Sequence, residues 1–173
     1  MRVAVLNDLF LTRDVLQKTF EKVFEGSGLT FEFSYLEDTW PVTPVQKTDE
    51  VSEFVGDEDA TAKAVADAEI ILTHTAPITR KVLAAAKNLK VLGVARGGPV
   101  NINWNACTEL GIPVLYAPGR NSGAVAEFTV GAMLAVSRSI VRSHMSLMNE
   151  KRWRGDLYVY DMAGKELSAS TVG

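Results

Sequence analysis

Short apolar runs rich in β-branched residues alternate along this chain with stretches whose apolar positions recur at helical spacing. Five runs stand out: Val3 to Leu6, Phe31 to Leu36, Glu69 to Thr73, Lys90 to Ala95 and Pro113 to Tyr116. Each is followed by polar or glycine punctuation, so each predicts a strand. Between them Thr12 to Phe24, Asp57 to Ala68, Thr79 to Ala86 and Trp104 to Leu110 place apolar residues on one face and predict helices. Gly111 follows the last of these, where a residue tolerating positive φ ends a helix. Strand and helix in alternation predict βα units on a parallel sheet. Near-continuous apolar strands imply a sheet covered on both faces. The expected fold class is therefore α/β, a flavodoxin-like, doubly wound, five-stranded parallel sheet over residues 1–118.

Two segments depart from the alternation. Asp38 to Val55 contains Pro41, Pro44 and a polar run, and reads as an ordered loop without a strand; Trp40 within it caps the core or shades a cleft. From Gly123 to about Asn149 the pattern predicts one long helix, with Val125, Phe128, Met133, Leu134, Val136, Ile140, Val141, Met145 and Met148 spread over more than one face. Such a helix needs neighbours on several sides. The small residues Gly131, Ala132, Ala135, Ser137 and Ser139 would let another helix come close, so a partner domain or subunit is expected, with a homodimer through this helix. Residues 119–173 then form a connecting and dimerisation segment.

Composition narrows the function classes. Of 173 residues, 47% are hydrophobic and 23% charged, with a formal net charge of −3. No basic stretch long enough for a phosphate backbone occurs, and Lys151-Arg152-Trp153-Arg154 reads as a solvated helix end, so nucleic acid is not an expected partner. No run approaches the roughly 20 apolar residues of a bilayer span. The first residues meet Asn7-Asp8 too soon for a signal-peptide core, and the single cysteine, Cys107, makes neither an internal disulfide nor a zinc site. A cytoplasmic location and no metal are expected.

In an open α/β sheet ligands bind beyond the carboxyl ends of the strands, where strand order reverses. With the order 2-1-3-4-5, that crevice is bounded by Asn7-Asp8, by His74-Thr75 and by Arg96-Gly97-Gly98. Paired glycines let a backbone approach a ligand closely and turn successive N–H groups toward an anion, and Arg96 adds a fixed charge. A tight turn into a helix capped by Asn103, with Pro99 preset for the bend, is the competing reading of the same residues. His74 sits where it can reach the crevice and titrate near neutral pH, although a hydrogen-bonded structural histidine fits as well. His144 on the long helix reads as a solvated or interface residue. Glu127, a carboxylate in an apolar stretch, suggests an interdomain hydrogen bond. The chain contains no Gly-x-Gly-x-x-Gly and no Walker loop.

Three stretches carry a resemblance to a known family. They are Leu92 to Asn103 (LGVARGGPVNIN), Gly111 to Val114 (GIPV) and Ala117 to Glu127 (APGRNSGAVAE). In this order they resemble the D-isomer-specific 2-hydroxyacid dehydrogenases, the phosphoglycerate dehydrogenase-like members most. The likeness extends through Arg138 to Trp153 and from Gly164-Lys165-Glu166-Leu167 to Thr171-Val172-Gly173; upstream of Ile70 it is architectural only. It implies a two-domain, NAD-dependent enzyme with substrate in the cleft between lobes. In that family Gly-Lys-x-Leu leads into the first strand of the nucleotide domain, so the expectation is a substrate lobe, a connecting helix and the beginning of a truncated Rossmann domain.

The resemblance further implies that the amides of Gly97 and Gly98 hold the substrate carboxylate, with a peripheral cofactor contact at Gly97, and that Asn121 matches an active-site asparagine at the hinge. The family's catalytic arginine, glutamate and histidine lie in or beyond the nucleotide domain, so none falls on this sequence, and the chain alone is expected to bind substrate without turnover. Phosphoglycerate-specific members tend to carry arginine then serine where His74-Thr75 stand, and many carry aspartate at Val100, so a phosphorylated substrate is in question. Arg96, where glycine is common, would supply the missing cation. Expected substrate-binding residues are therefore His74, Thr75, Arg96, Gly97, Gly98 and Asn121. Two other readings remain: a noncatalytic binding lobe, and a receiver-like signalling module. The latter wants an aspartate at the end of the third strand, where this chain has Thr73-His74-Thr75.

Overall fold

The structure, a computed structural model, describes residues 1–39 and 45–171. It divides into two compact units, Met1–Arg120 and Asn121–Gly173.

The first unit is built on a parallel sheet of β1 (Arg2–Asn7), β2 (Glu32–Glu37), β5 (Ile70–Thr73), β6 (Val91–Val94) and β7 (Val114–Tyr116), in the order β2-β1-β5-β6-β7. This is the five-stranded parallel sheet that the alternation predicts. Order reverses between β1 and β5, where Leu6 lies opposite Thr73 and Thr73 opposite Val94. The ends of β1, β5 and β6 therefore stand side by side, and the segments leaving them share one edge.

Period two along each strand divides the core between the two faces. Ala4, Leu6, Ile71, Leu92 and Val94 point to the face covered by α2 (Glu58–Val65), α3 (Arg80–Ala85) and α4 (Trp104–Glu109), and pack with Val65, Val82, Leu83, Ile102, Ala106 and Cys107. Burying each large aliphatic chain there contributes about 1.5–3 kcal/mol. Side chains start these helices: Asp57 accepts from the Ala60 N–H, Thr79 from Val82 and Asn103 from Ala106. Gly111, at φ +66, ends α4 as its sequence position predicts. On the opposite face Val3, Val5 and Ile70 meet Leu16 and Phe20 of α1 (Arg13–Val23) and the rings of Phe31, Phe33 and Tyr35. That cover is thinner. No residue of α1 is fully buried, and a groove of 340 Å³ stays open between α1, Leu72 and Ala95.

Two sequence expectations need correction. The stretch expected to lack strands contains a small antiparallel pair, β3 (Gln46–Lys47) and β4 (Ser52–Phe54). It forms because Val51, Phe54 and Val55 bury their side chains, while backbone bonds from Ser52 N to Val100 O (2.9 Å) and Val55 N to Thr75 O (3.1 Å) tie it to the loops after β6 and β5. Trp40, expected to cap the core or shade a cleft, lies outside the described residues.

The second correction concerns the single helix expected from Gly123 to Asn149. It is two: α5 (Ser122–Ser137) and α6 (Ile140–Met145), which continues as a π-helical turn over Ser146–Glu150. The two segments meet at 62° because Ser139 adopts φ +54 and interrupts the hydrogen-bond ladder. Among the described residues no single helix is long and apolar enough to cross a membrane. Phe128 and Val136 on α5 are 79% and 82% exposed, an apolar surface left uncovered in this chain. The strand expected at Thr171-Val172-Gly173 falls largely outside the described residues.

Candidate functional site

At the shared carboxyl edge the first group to form is a buried carboxylate with a full set of donors. β1 ends at Asn7, and Asp8 turns the chain by accepting at Oδ1 from the N–H groups of Phe10 (2.9 Å) and Leu11 (2.8 Å). Its Oδ2 accepts from His74 Nδ1 (2.6 Å) and Thr75 Oγ1 (2.7 Å), both just past β5. Burial pushes the Asp8 carboxyl up, but the hydrogen bonds from His74, Leu11 and Thr75 outweigh it and hold the pKa at about 2. Asp8 is therefore ionised at neutral pH and can only accept, so Nδ1 of His74 carries the hydrogen. His74 and Thr75 are 5% and 7% exposed, and the ring of Phe10 stacks over His74 at 5.5 Å. The Nδ1 bond to Asp8 orients the His74 ring at the end of β5.

Asn101 is buried and joins the next two loops. Its Nδ2 donates to the carbonyls of Ala76 (2.8 Å) and His74 (3.3 Å), and its Oδ1 accepts from Arg96 Nη1 (3.4 Å). Arg96 is not a free cation at the crevice. Its Nη2 pairs with Glu53 Oε2 at 2.6 Å and its Nη1 donates to Glu53 O at 3.0 Å. Glu53 sits at φ +51, a backbone state that side chains rarely adopt, and this clasp holds it there.

Gly97 and Gly98 follow directly. Both are exposed, and among the described residues neither N–H donates to a protein acceptor. Neither glycine has positive φ. A Cβ on Gly97 would meet nothing nearer than Ala117 O at 3.5 Å, and one on Gly98 would meet nothing within 4 Å. Chain geometry in this unit therefore does not demand glycine at either place. At Gly98 the missing side chain leaves open space, and beside it stand two donors unused among the described residues, an arrangement that suits an anion. The tight-turn reading holds as well: Pro99 precedes the turn and Asn103 caps α4. Asn121 opens the second unit as the residue before α5, and its side chain makes no capping hydrogen bond.

Sequence reasoning placed Asp8, His74 and Arg96 at one edge, but the Asp8–His74–Thr75 cluster, the Asn101 bridge and the Glu53 partner were not foreseen. The contacts span 66, 27 and 43 residues of chain. A polar Asn101 between Val100 and Ile102 was the available signal for one of them. Among the described residues no group of three or more His, Cys, Asp or Glu side chains could hold a metal ion.

Comparison with known proteins agrees with this architecture. Hydroxypyruvate reductase of Thermotoga maritima is 34% identical over 118 residues, covering 68% of this chain and 37% of its own length. D-3-phosphoglycerate dehydrogenase of Methanocaldococcus jannaschii is 37% identical over 114 residues, 63% of this chain and 21% of its own. The chain thus spans well under half the length of these curated relatives. In structure it matches the NAD-dependent formate dehydrogenase of Staphylococcus aureus, solved with NAD, at a TM-score of 0.64 and 23% identity over 96% of this chain and 46% of that one. It matches the cofactor-bound 3-phosphoglycerate dehydrogenase of Entamoeba histolytica at 0.57 and 21% identity, over 80% and 39%. These two likenesses concern the fold. The family described as D-isomer specific 2-hydroxyacid dehydrogenase, catalytic domain, matches residues 35–171, and the chain belongs to that family.

Proposed function

We propose that this chain is the substrate-binding portion of an NAD-dependent oxidoreductase that interconverts D-2-hydroxy acids and 2-keto acids. The observation that carries the proposal is the pair of unused, exposed amide donors at Gly97 and Gly98, beside the point where strand order reverses. A carboxylate placed there accepts two charge-assisted hydrogen bonds, each stronger than a neutral one. Asn121, the first residue of the second unit, is the further polar group that the family resemblance assigns to the substrate, and Asp8, His74 and Thr75 fix the loops after β1 and β5. Arg96 contributes a field already moderated by Glu53.

The turn from β1 into α1 does not fit a dinucleotide. That turn, where a Rossmann cradle places its glycines, holds none and is built around the ionised Asp8, which repels a pyrophosphate. NAD therefore belongs to other parts of a longer enzyme, as do the groups that move the proton and hydride. The share assigned here is orientation of the acid. A homodimer through the apolar surface of α5 and a cytoplasmic location complete the proposal; the exposed Phe128 and Val136 support the first.

Two assays on the 173-residue chain test this reading. Calorimetric titration with pyruvate is expected to show weak binding, and NADH oxidation with a panel of 2-keto acids is expected to show no turnover. Clear turnover would defeat the division of labour, and absence of any carboxylate binding would defeat the substrate assignment.

A further inference from the structure

Glycine gives up more conformational freedom on ordering than any other residue, and an added Cβ at Gly98 would meet nothing within 4 Å. Sterics alone therefore leave the pair Gly97-Gly98 loosely fixed, and the fixing falls to its flanks. Arg96 O accepts from the Ala117 N–H (2.9 Å), Val100 O from the Ser52 N–H (2.9 Å) and Asn101 O from the Ile78 N–H (2.9 Å). Pro99 O accepts from the indole Nε1–H of Trp104 (3.2 Å). One side chain ties both ends of the turn together. Asn101, 0% exposed, accepts at Oδ1 from Arg96 Nη1 on the far side of the glycines (3.4 Å), while its Nδ2 donates to Ala76 O (2.8 Å) and His74 O (3.3 Å) beyond β5.

We infer, resting on the carboxylate site proposed above, that Asn101 and Trp104 are positioning residues, which preset the Gly97 and Gly98 donors for the acid. Both act through the turn. Position 101 needs a donor toward two carbonyls and an acceptor toward a guanidinium at once, which a side-chain amide supplies. A carboxylate there would set a negative charge against two carbonyl oxygens, and leucine would satisfy neither side. Trp104, the first residue of α4, holds Pro99 O with its indole N–H while its ring stands edge-on to Tyr116 at 5.7 Å. An acid that meets preset donors does not have to order the turn as it binds. Displacing a positioned group by about 1 Å costs up to roughly 100-fold, so loss of one clamp among several should cost about tenfold at buried Asn101 and about threefold at the partly exposed Trp104.

The test is NMR relaxation and pyruvate titration on the labelled 173-residue chain, with Asn101→Ala and Trp104→Phe made singly and again in a Gly98→Ala background. Amide order parameters at Gly97 and Gly98 should stand near about 0.85 in the parent chain and fall below about 0.6 in Asn101→Ala. Pyruvate affinity should drop about tenfold in Asn101→Ala and about threefold in Trp104→Phe. Trp104→Phe removes only the indole donor and keeps a ring, so it decides the matter if Asn101→Ala does not fold. In the Gly98→Ala background both losses should shrink, because the donor they preset is already obstructed. A residue that merely stabilises the fold would leave the glycine order parameters unchanged and give losses that add. Either of those results overturns the inference while pyruvate binding by the parent chain leaves the carboxylate site standing. Failure of the parent chain to bind pyruvate overturns both.

Discussion

Replacing Gly98 with alanine separates a glycine kept for a ligand from a glycine kept for the fold. The residue lacks positive φ, and an added Cβ meets no atom within 4 Å. The unfolded chain loses conformational freedom, so folding stability should stay constant or rise by about 0.4–1 kcal/mol. Binding should move the other way. The added methyl stands in the space over the exposed N–H and holds a carboxylate off its donor. A hydrogen bond to a charged group contributes about 1.5–3 kcal/mol. At 1.4 kcal/mol per decade, affinity for a 2-keto acid should fall by roughly 10- to 100-fold. Urea unfolding gives the first quantity and calorimetry the second, on the same preparation. A variant destabilised by about 2 kcal/mol or more would show that the turn itself requires glycine. Unchanged affinity would remove this amide from the binding site.

Three further outcomes follow from the same edge. Asp8 falls from a pKa of 3.8 to about 2 on folding, so its contribution is complete above pH 3.8 and is lost as pH drops through 2; at roughly 2 kcal/mol it should steepen acid unfolding in that window. Asp8→Asn should flatten this dependence and cost about 1–3 kcal/mol at neutral pH, since His74 Nδ1 and Thr75 Oγ1 lose their buried charged acceptor. Gly56→Ala should cost about 1–3 kcal/mol in thermal unfolding, because Gly56 has φ +97 and an added Cβ collides with the Asp38 carboxylate. Glu53→Gln should tighten acid binding by roughly threefold at low salt by releasing the Arg96 charge, and the gain should shrink toward 0.15 M salt, measured by calorimetry at both ionic strengths.

The parts legible in the sequence are those governed by local periodicity. The run Val3 to Leu6 alternates sides of a sheet whose two faces it helps fill, and its expected place in the order 2-1-3-4-5 is the observed one. Asn103 and Gly111 delimit α4 through chemistry that acts within one turn of chain. The features that were not legible depend on distant partners. β3 and β4 are too short to show a pattern and exist because Val51, Phe54 and Val55 find a core. The break at Ser139 has neither proline nor glycine to announce it, and the apolar pattern runs on across it. In the candidate site, the glycine pair was visible as a motif. The neutralisation of Arg96 by Glu53 and the capture of Asp8 by His74 come from parallel register, which sets strand ends from different parts of the chain beside one another.

Backbone amide chemical shifts of the labelled chain, followed during titration with pyruvate, bear most directly on the carboxylate site. The Gly97 and Gly98 amide protons should move downfield together along a single saturation curve, as two donors engaging one anion require. Shifts confined to other residues, or two glycine signals that stay in place while the acid demonstrably binds, would contradict it.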